Sequence, residues 1–272
     1  MKKKPLEQTL VKVIEHLKKK LYCLDIRNDI ETGFRILDDS LPKQGLIVLA
    51  GVARVGKTAM ALDITRRMAV TNKKTVGYIS LGESEETLVE RIIASESKIP
   101  LWKINTGKLQ SRDLLLIEMT VGKLLKANIY IDDTASQTLE QVIKSIKKIH
   151  KENSANLFIV DYLQLISVDS ALKTWKTDTM ATLRELAMNL KVPIILILDT
   201  SKDILKDVEG NKLRSLRSLG NIDKVSDMII SLNTGYKSDD KGHEASITID
   251  HNRNGLLGKE DVKFDPLSAS FN

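Results

Sequence analysis

Eight residues in the first quarter of the chain match the phosphate-binding loop pattern G-x-x-x-x-G-K-[ST] without a mismatch. An apolar run at residues 46–50 predicts a buried strand before the loop, and residues 57–70 predict a helix after it. This order brings backbone N–H groups and a helix N-terminus to the same phosphate oxygens, so the loop predicts a nucleotide-binding α/β fold. The eight residues are Gly51, Val52, Ala53, Arg54, Val55, Gly56, Lys57 and Thr58.

Two side chains of the loop have predicted roles of their own. Lys57 is placed to reach the β- and γ-phosphates, and the Thr58 hydroxyl is placed to hold Mg²⁺. ATP and Mg²⁺ are therefore the expected cofactors. The alternative is a chance glycine turn before a helix, which the strand and helix on either side argue against.

Composition narrows the class of protein. The chain has 272 residues, of which 42% are hydrophobic, and one cysteine, Cys23, which excludes an internal disulfide framework. No apolar run approaches the ~20 residues that span a bilayer. We therefore expect a cytoplasmic protein with no membrane partner. The net charge of +6 favours polyanionic partners only weakly.

The chain divides into a short N-terminal unit and a large body. Apolar residues recur at helical spacing over residues 6–21, which predicts a helix and loop at 1–29 before a domain at 30–272. Apolar strands alternate with helices throughout this domain, so we expect a mostly parallel sheet with helices on both faces. The predicted strands are 46–50, 75–81, 129–131, 157–160, 194–198, 228–232 and 246–249. The predicted later helices are 85–95, 114–125, 139–150 and 179–190, and two segments, 168–176 and 201–221, are predicted to be irregular.

Asp161 directly follows the apolar strand at residues 157–160. A P-loop ATPase needs an acid at the carboxyl end of a core strand, where it holds Mg²⁺ beside the loop hydroxyl. An Asp after four apolar residues means little by itself. About a hundred residues after a complete P-loop, it predicts that Asp161 and Thr58 share a metal site.

Six further segments lie in an order that is typical of one family. They are residues 32–38, 90–96, 131–134, 161–166, 215–222 and 253–258. Together with the P-loop they resemble the ATPase domain of hexameric bacterial replicative helicases of the DnaB type, which has a RecA-like fold. The resemblance covers residues 6 to 264. The run Asp-Tyr-Leu-Gln-Leu-Ile at 161–166 is the most distinctive, because a metal-binding acid alone does not require the residues that follow it.

The resemblance implies a ring in which ATP lies between adjacent subunits. Arg253 then reaches the γ-phosphate of the neighbouring subunit and stabilises the charge of the transition state. The alternative for Arg253 is an exposed arginine on a loop. Residues 6–21 correspond to a linker helix that docks on a neighbouring subunit, although such a helix could instead cover its own domain.

Three positions depart from the family pattern close to the expected γ-phosphate. The family places its water-activating glutamate where this chain has Gly82, and Glu83 follows one position later. Glu83 is our candidate general base, although successive strand residues point to opposite faces, and the alternative is a solvated acid at a helix start. Asp199 stands where the family has Gln, and His251 where it has Lys.

DNA contacts, if present, are expected on the two irregular segments, which face the central channel in the resemblance. Basic side chains on loops suit contact with a single-strand backbone that does not depend on sequence. Solvated surface charge is the alternative. The candidates are Lys173 and Lys176 with Trp175 between them, and then Lys206, Lys212, Arg214 and Arg217.

Three functions fit these observations. The leading one is an ATP-dependent DNA helicase motor, an enzyme that assembles as a homo-oligomeric ring, expected to be hexameric, on single-stranded DNA and works with replication proteins. The alternative is a nucleotide-binding, helicase-like module with weak or no hydrolysis that regulates or partners a helicase. A recombination-type or clock-type RecA-like ATPase is the third, and residues 161–165 with 253–255 argue against it.

Overall fold

A computed structural model describes residues 30–167, 174–200, 222–235, 243–253 and 255–272. The predicted helix at residues 6–21 and the irregular segment 201–221 lie outside these residues. The division of the chain at residue 29 therefore stays a prediction.

The described residues build a single nine-stranded sheet with the spatial order β3-β2-β4-β5-β1-β6-β7-β8-β9. The strands from β3 to β6 in this order run parallel, and β7, β8 and β9 are antiparallel to their neighbours. The predicted α/β class with a mostly parallel sheet is confirmed. The strands are β1 (Gly45–Val52), β2 (Val76–Ser80), β3 (Ile129–Asp132), β4 (Leu157–Asp161), β5 (Pro193–Thr200), β6 (Met228–Thr234), β7 (His243–Asn252), β8 (Gly258–Asp265) and β9 (Ser270–Phe271).

Helices connect the parallel strands. The P-loop helix continues into a π-helical turn at Arg67–Thr71, and a 3₁₀ turn at Leu163–Leu165 follows β4. The helices are α1 (Arg35–Asp38), α2 (Lys57–Arg66), α3 (Glu85–Ser97), α4 (Leu101–Thr106), α5 (Ser111–Leu124), α6 (Leu139–Asn153), α7 (Trp175–Leu190) and α8 (Ile222–Val225).

Two apolar clusters form the core, one on each face of the sheet. The strands β1, β2 and β4 are almost entirely buried, because their residues pack against both clusters. Aliphatic side chains supply most of both clusters, as the aromatic content of 4% requires. Burial on both faces explains why these strands are continuous apolar runs in the sequence rather than alternating ones.

The topology brings four strand ends together at one edge of the sheet. β2, β4, β5 and β1 are neighbours and run parallel, so the residues at their carboxyl ends lie side by side. Gly51 is the register partner of Asp199, and Ser80 is the register partner of Asp161. This edge is where open parallel sheets bind ligands.

The C-terminal strand is attached to the P-loop helix. The buried Asp63 of α2 accepts a hydrogen bond from the backbone N–H of Phe271, at 2.5 Å, and another from Ser95, at 2.6 Å. Arg67 donates to the carbonyls of Gly33 and Phe271, at 2.7 Å each. The segment before the first strand and the last strand are thus both tied to α2, although they lie more than 200 residues apart.

The structure corrects one predicted boundary. Trp175 and Lys176 were predicted to belong to an irregular segment, but they form the first turn of α7. The prediction was wrong here because the Trp175 side chain packs against the apolar cluster beneath α7 and extends the helix toward its N-terminus. Helices α1, α4 and α8 and strands β8 and β9 were not predicted. β8 has few apolar residues, and Val262 is its one buried residue.

Candidate active site

A cavity of about 420 Å³ lies at the carboxyl edge of the parallel strands. Its lining includes the P-loop together with Glu83, Asp161 and Asp199. Phe264 and Ala269, which flank the last turn of the chain, form part of the wall. The structure therefore brings together the residues that the sequence assigned to phosphate, metal and water.

The P-loop curls around the start of α2. Gly56 has φ +98° at the N-cap of this helix, and Arg54 has φ +66°. A Cβ at Gly56 would lie 3.2 Å from the Phe271 ring, so both the conformation and the space favour glycine. The loop then presents its N–H groups together with the helix N-terminus, which is the arrangement that phosphate requires.

Lys57 is 5% exposed, and its ammonium group has two partners inside the cavity. Nζ donates to the Val52 carbonyl at 2.7 Å and lies 2.6 Å from Oδ1 of Asp199. A buried ammonium needs such partners because an unpaired charge away from water is costly. The carbonyl holds Lys57 over the loop, while the Asp199 carboxylate is half-exposed and stands where phosphate oxygens are expected.

Asp161 and Thr58 form the corner that a metal ion would occupy. The Thr58 side chain hydrogen-bonds to the Asp161 carboxylate, and the Tyr78 hydroxyl donates to its Oδ2 at 2.7 Å. Burial raises the pKa of Asp161, although these two hydrogen bonds act in the opposite direction. Burial also raises the pKa of Tyr78, whose hydroxyl therefore remains a donor.

Two oxygen donors in a buried corner fit Mg²⁺, which binds proteins through one or two oxygen ligands and completes its shell with phosphate and water. In the part of the chain that the structure describes, no group of three or more His, Cys, Asp or Glu side chains could hold a metal ion.

Glu83 lies in the same cavity, held by Arg91. Nη2 of Arg91 donates to Oε1 of Glu83 at 3.0 Å, and Nε lies 3.0 Å from Oε2. Burial raises the pKa of Glu83; Arg91 lowers it and the charge of Asp161 raises it. Glu83 thus lines the P-loop cavity with its carboxylate held by an arginine of α3.

Gly82 opens a smaller cavity of about 170 Å³ next to the metal corner. A Cβ at this position would lie 2.9 Å from Cδ1 of Leu165, which is the end of a flexible side chain. Glu83 lines both this cavity and the P-loop cavity, whereas Gly82 lines the smaller one, where its missing side chain leaves space beside Asp161.

The sequence model of the DnaB-like helicase C terminal domain matches residues 29–272. The chain belongs to this family. A "Probable plasmid replicative DNA helicase" of Chlamydia trachomatis is 31% identical over 248 residues, which are 88% of this chain and 54% of that protein. The "Replicative DNA helicase DnaB" of Geobacillus stearothermophilus is 30% identical over 246 residues, with coverage of 86% and 54%. The chain thus spans about half the length of the curated relatives it matches.

Solved structures support the same fold. An ATPase domain solved on its own superposes with a TM-score of 0.85 at 22% identity, and the match covers 99% of both chains. A DnaB-like replicative helicase, described with its interactions with primase, gives 0.84 at 22% identity and covers 99% of this chain and 67% of that one. A KaiC-like protein of Pyrococcus horikoshii gives only 0.57. The RecA-like core is therefore confirmed, and DnaB-type membership excludes the recombination-type and clock-type families.

Arg253, the predicted finger of this DnaB-type domain, lies far from the cavity of its own chain. It follows β7 at the amino edge of the parallel strands, whereas the P-loop lies at their carboxyl edge. Nε donates to the Ser226 carbonyl at 3.0 Å, and Nη2 donates to the Lys224 carbonyl at 2.6 Å. Nε also lies 3.4 Å from Oδ1 of Asp227, and the side chain is 42% exposed.

Most of the DNA-binding candidates lie outside the described residues. These are Lys173, Lys206, Lys212, Arg214 and Arg217. Lys176 is half-buried on α7, where its Nζ lies 5.6 Å from the centre of the Trp175 ring. Among the helices that the structure describes, none has both the length and the apolar character needed to cross a membrane.

Sequence reasoning did not assign roles to three residues of the site. Tyr78, in the middle of β2, donates a hydrogen bond to Asp161, and no local sequence pattern indicates this contact. Arg91 and Gln164 lie within two segments that resemble the family, but the sequence indicated no role for either side chain. Gln164 holds the backbone of Asp199 through two hydrogen bonds, at 2.8 and 3.3 Å.

Proposed function

We propose that this chain is the ATP-driven motor domain of a ring-shaped replicative DNA helicase. The observation that carries the proposal is the convergence of Lys57, Thr58, Asp161 and Glu83 on one cavity in a DnaB-type domain. Lys57 and the loop amides bind the phosphates, Thr58 and Asp161 hold Mg²⁺, and Glu83 orients and deprotonates the attacking water. Mg²⁺, when bound, neutralises charge on the β- and γ-phosphates.

The test of the motor is ATP turnover, measured with and without single-stranded DNA. Turnover that single-stranded DNA stimulates supports a motor that acts on DNA, as the names of the relatives say of those proteins. The proposed DNA contacts are Lys176 on α7 and five basic residues outside the described ranges: Lys173, Lys206, Lys212, Arg214 and Arg217. A protein that hydrolyses ATP at the same rate with and without DNA contradicts the proposal.

A second candidate is a helicase-like module that binds nucleotide and hydrolyses it weakly or not at all. Gly82 in place of an acid and the ion pair of Asp199 with Lys57 favour this interpretation. Tight ATP binding without turnover, in the same assay, supports the module. The names of the relatives speak of helicases, and Glu83 has the geometry of a base, so the motor remains our first proposal.

We place Arg253 in the active site of the neighbouring subunit. Its position at the amino edge of the sheet and its exposure are consistent with such a contact, and the resemblance implies it. The guanidinium then supplies a cation that meets the γ-phosphate across the interface and stabilises the transition state.

Mixing two inactive variants tests this contact. Lys57→Ala and Arg253→Ala should each abolish turnover, because each removes one half of every site. In a mixed ring, the P-loop of an Arg253→Ala subunit can face the intact Arg253 of a Lys57→Ala subunit, so part of the turnover should return. No recovery, with mixed assembly shown by co-purification of an untagged variant with its tagged partner, contradicts a role in the neighbouring site.

Assembly has a candidate surface on α5. Several apolar side chains of this helix and its surroundings are exposed: Trp102, Leu114, Leu115, Met119 and Leu125. We propose that residues 6–21 of a neighbouring subunit cover this α5 surface. Exposed apolar area of this kind marks sites of protein contact.

Deleting residues 1–24 should then lower the oligomeric state seen by light scattering. Leu115→Glu should have the same effect from the other side of the contact, because it places a charge in the apolar surface. Glu118→Gln, on the same helix, serves as a control that leaves the apolar side chains intact. If both altered proteins keep their oligomeric state, residues 6–21 do not cover the α5 surface of a neighbouring subunit.

A further inference from the structure

The structure assigns a role to Asp199 that neither its strand position nor its family explains. Its carboxylate, 2.6 Å from Nζ of Lys57, occupies the partner position that the phosphates of a nucleotide take. We propose that Asp199 is a specificity-determining residue that selects against the γ-phosphate and so brings the affinity for ATP closer to that for ADP. This inference rests on the proposed nucleotide site.

The backbone fixes Asp199 beside the P-loop. It lies in β5 as the register partner of Gly51, the first glycine of the loop. Gln164 Nε2 donates to the Asp199 carbonyl at 2.8 Å, and the Asp199 N–H donates to Gln164 Oε1 at 3.3 Å. Because strand pairing and the Gln164 side chain both hold this backbone, the carboxylate stays near the site when Lys57 turns to phosphate.

The charge of Asp199 lowers the affinity for ATP more than the affinity for ADP. Lys57 serves both the β- and the γ-phosphate, so any bound nucleotide must compete with Asp199 for the ammonium group. The γ-phosphate adds a second conflict, because it brings negative charge toward the carboxylate itself. Two like charges about 4 Å apart in a partly buried site repel strongly enough to change an affinity by roughly tenfold or more.

The carboxylate does not block the site completely. Asp199 is 36% exposed at its side chain, so water can hydrate the carboxylate once Lys57 turns to phosphate. The P-loop amides, the helix N-terminus and the metal corner all remain available. Asp199 therefore adjusts the relative affinity of two nucleotides without excluding either.

The test compares the affinity for ADP and for a non-hydrolysable ATP analogue, both with excess Mg²⁺, in the whole chain and in Asp199→Asn. The variant keeps the size of the side chain and the backbone contacts with Gln164, and it removes the charge. Affinity for the analogue should rise about tenfold, and affinity for ADP should rise clearly less. Asp261→Asn removes the same charge from an exposed position of β8 and should change neither affinity.

An equal gain for both nucleotides, or no gain, overturns the role of Asp199. If thermal melting shows that Asp199→Asn does not fold, Asp199→Ser removes the same charge and replaces it in the test. A wild-type chain that binds neither nucleotide overturns the proposed site itself. Binding in the wild type with an unchanged ratio in the variant overturns only the selection by Asp199.

Discussion

Opposite edges of the parallel strands carry two ionic networks that use charge in different ways. At the carboxyl edge, Lys57 pairs with Asp199, and Arg91 pairs with Glu83, around an open cavity. At the amino edge, the carboxylate of Asp227 is nearly buried. It accepts three hydrogen bonds from Arg184, at 2.9 to 3.1 Å, and one from the Leu46 N–H at 3.0 Å, and Nε of Arg253 lies 3.4 Å from its Oδ1.

The two networks differ in whether a charged side chain can exchange its present partner for a ligand. Asp227 is surrounded by protein donors, so its charge serves to hold β1, β6 and α7 together. The cations of the carboxyl edge face a cavity and can trade a carboxylate for a phosphate. We therefore expect removal of the Lys57 or Glu83 charge at the carboxyl edge to damage function, and removal of the Asp227 charge at the amino edge to damage stability. Arg253 is the exception at the amino edge, since we propose that it serves the site of a neighbouring subunit.

Lys57→Ala should give the largest effect. Losing one partner of a buried charge pair costs about 2–5 kcal/mol of binding, which is roughly 30-fold to several thousand-fold in affinity. ATP binding should fall below detection in a titration with a fluorescent nucleotide. The fold should survive, because Asp199 can then be hydrated.

Lys147→Ala on the exposed face of α6 is the matched control, since it removes the same charge at a distance from the cavity. Unchanged ATP affinity in a folded Lys57→Ala protein would show that the carboxyl edge is not a phosphate site. The contrast between the two edges would then have no functional meaning.

Glu83→Gln should lower turnover by about two orders of magnitude or more, the scale of losing a general base. ATP binding should persist, because it depends on the loop and Lys57. The measurement is the steady-state turnover number at saturating ATP. Unchanged turnover means that another group activates the water or that the residual hydrolysis needs no base.

The space beside Gly82 allows a second variant that should restore part of the turnover. Gly82→Glu restores an acid at the position that the family uses, and the nearest neighbour of its Cβ is the flexible end of Leu165. In the Glu83→Gln background it should recover part of the lost turnover, whereas Gly82→Gln should not. In the wild-type background, a rise in turnover on Gly82→Glu alone would support the weakly hydrolysing module.

Asp227→Asn should lower the free energy of unfolding by about 2 kcal/mol, since it breaks a largely buried pair whose arginine is partly solvated. Chemical denaturation measures this change. Nucleotide affinity should remain as in the wild type. A variant with normal stability and impaired ATP binding would reverse the assignment of the two edges.

The sequence predicted the elements of the carboxyl edge because they are local. A P-loop is contiguous, and the run that ends at Asp161 shows both its burial and its acid within five residues. No order of the strands was predicted, since parallel neighbours are distant in the chain. The predicted strand boundaries differ from the observed ones by only a few residues, because burial of each strand is visible in its own sequence.

The partners of these groups could not be predicted from the chain alone. Tyr78 meets Asp161 across two strands, and Asp199 meets Lys57 across β1 and β5. Such pairs depend on register, which no local pattern carries. The repulsion expected between Asp199 and phosphate follows from its charge and stays a prediction, but its pairing with the P-loop lysine required the structure.

The smallest effect concerns pH and Arg91. Burial raises the pKa of Glu83, and Arg91 lowers it. A base works only when deprotonated, so turnover should fall as the pH decreases through this raised pKa, above the range of an ordinary glutamate. The sign for stability is the opposite: a raised pKa favours the folded state at low pH, and this contribution is lost as the pH rises through the folded-state pKa.

Arg91→Met removes the cation that lowers the pKa of Glu83, so the acidic limb of the turnover profile should move to higher pH. Turnover numbers between about pH 5 and 8 measure the shift, and Arg35→Met on the exposed face of α1 is the control. Arg91 also lowers the pKa of Asp161. The same measurement on the double variant Arg91→Met/Glu83→Gln, compared with Glu83→Gln alone, separates the two carboxyl groups. If the acidic limb of the turnover profile still moves to higher pH there, the titrating group is Asp161. A limb that stays in place in Arg91→Met means that the arginine positions Glu83 without tuning it.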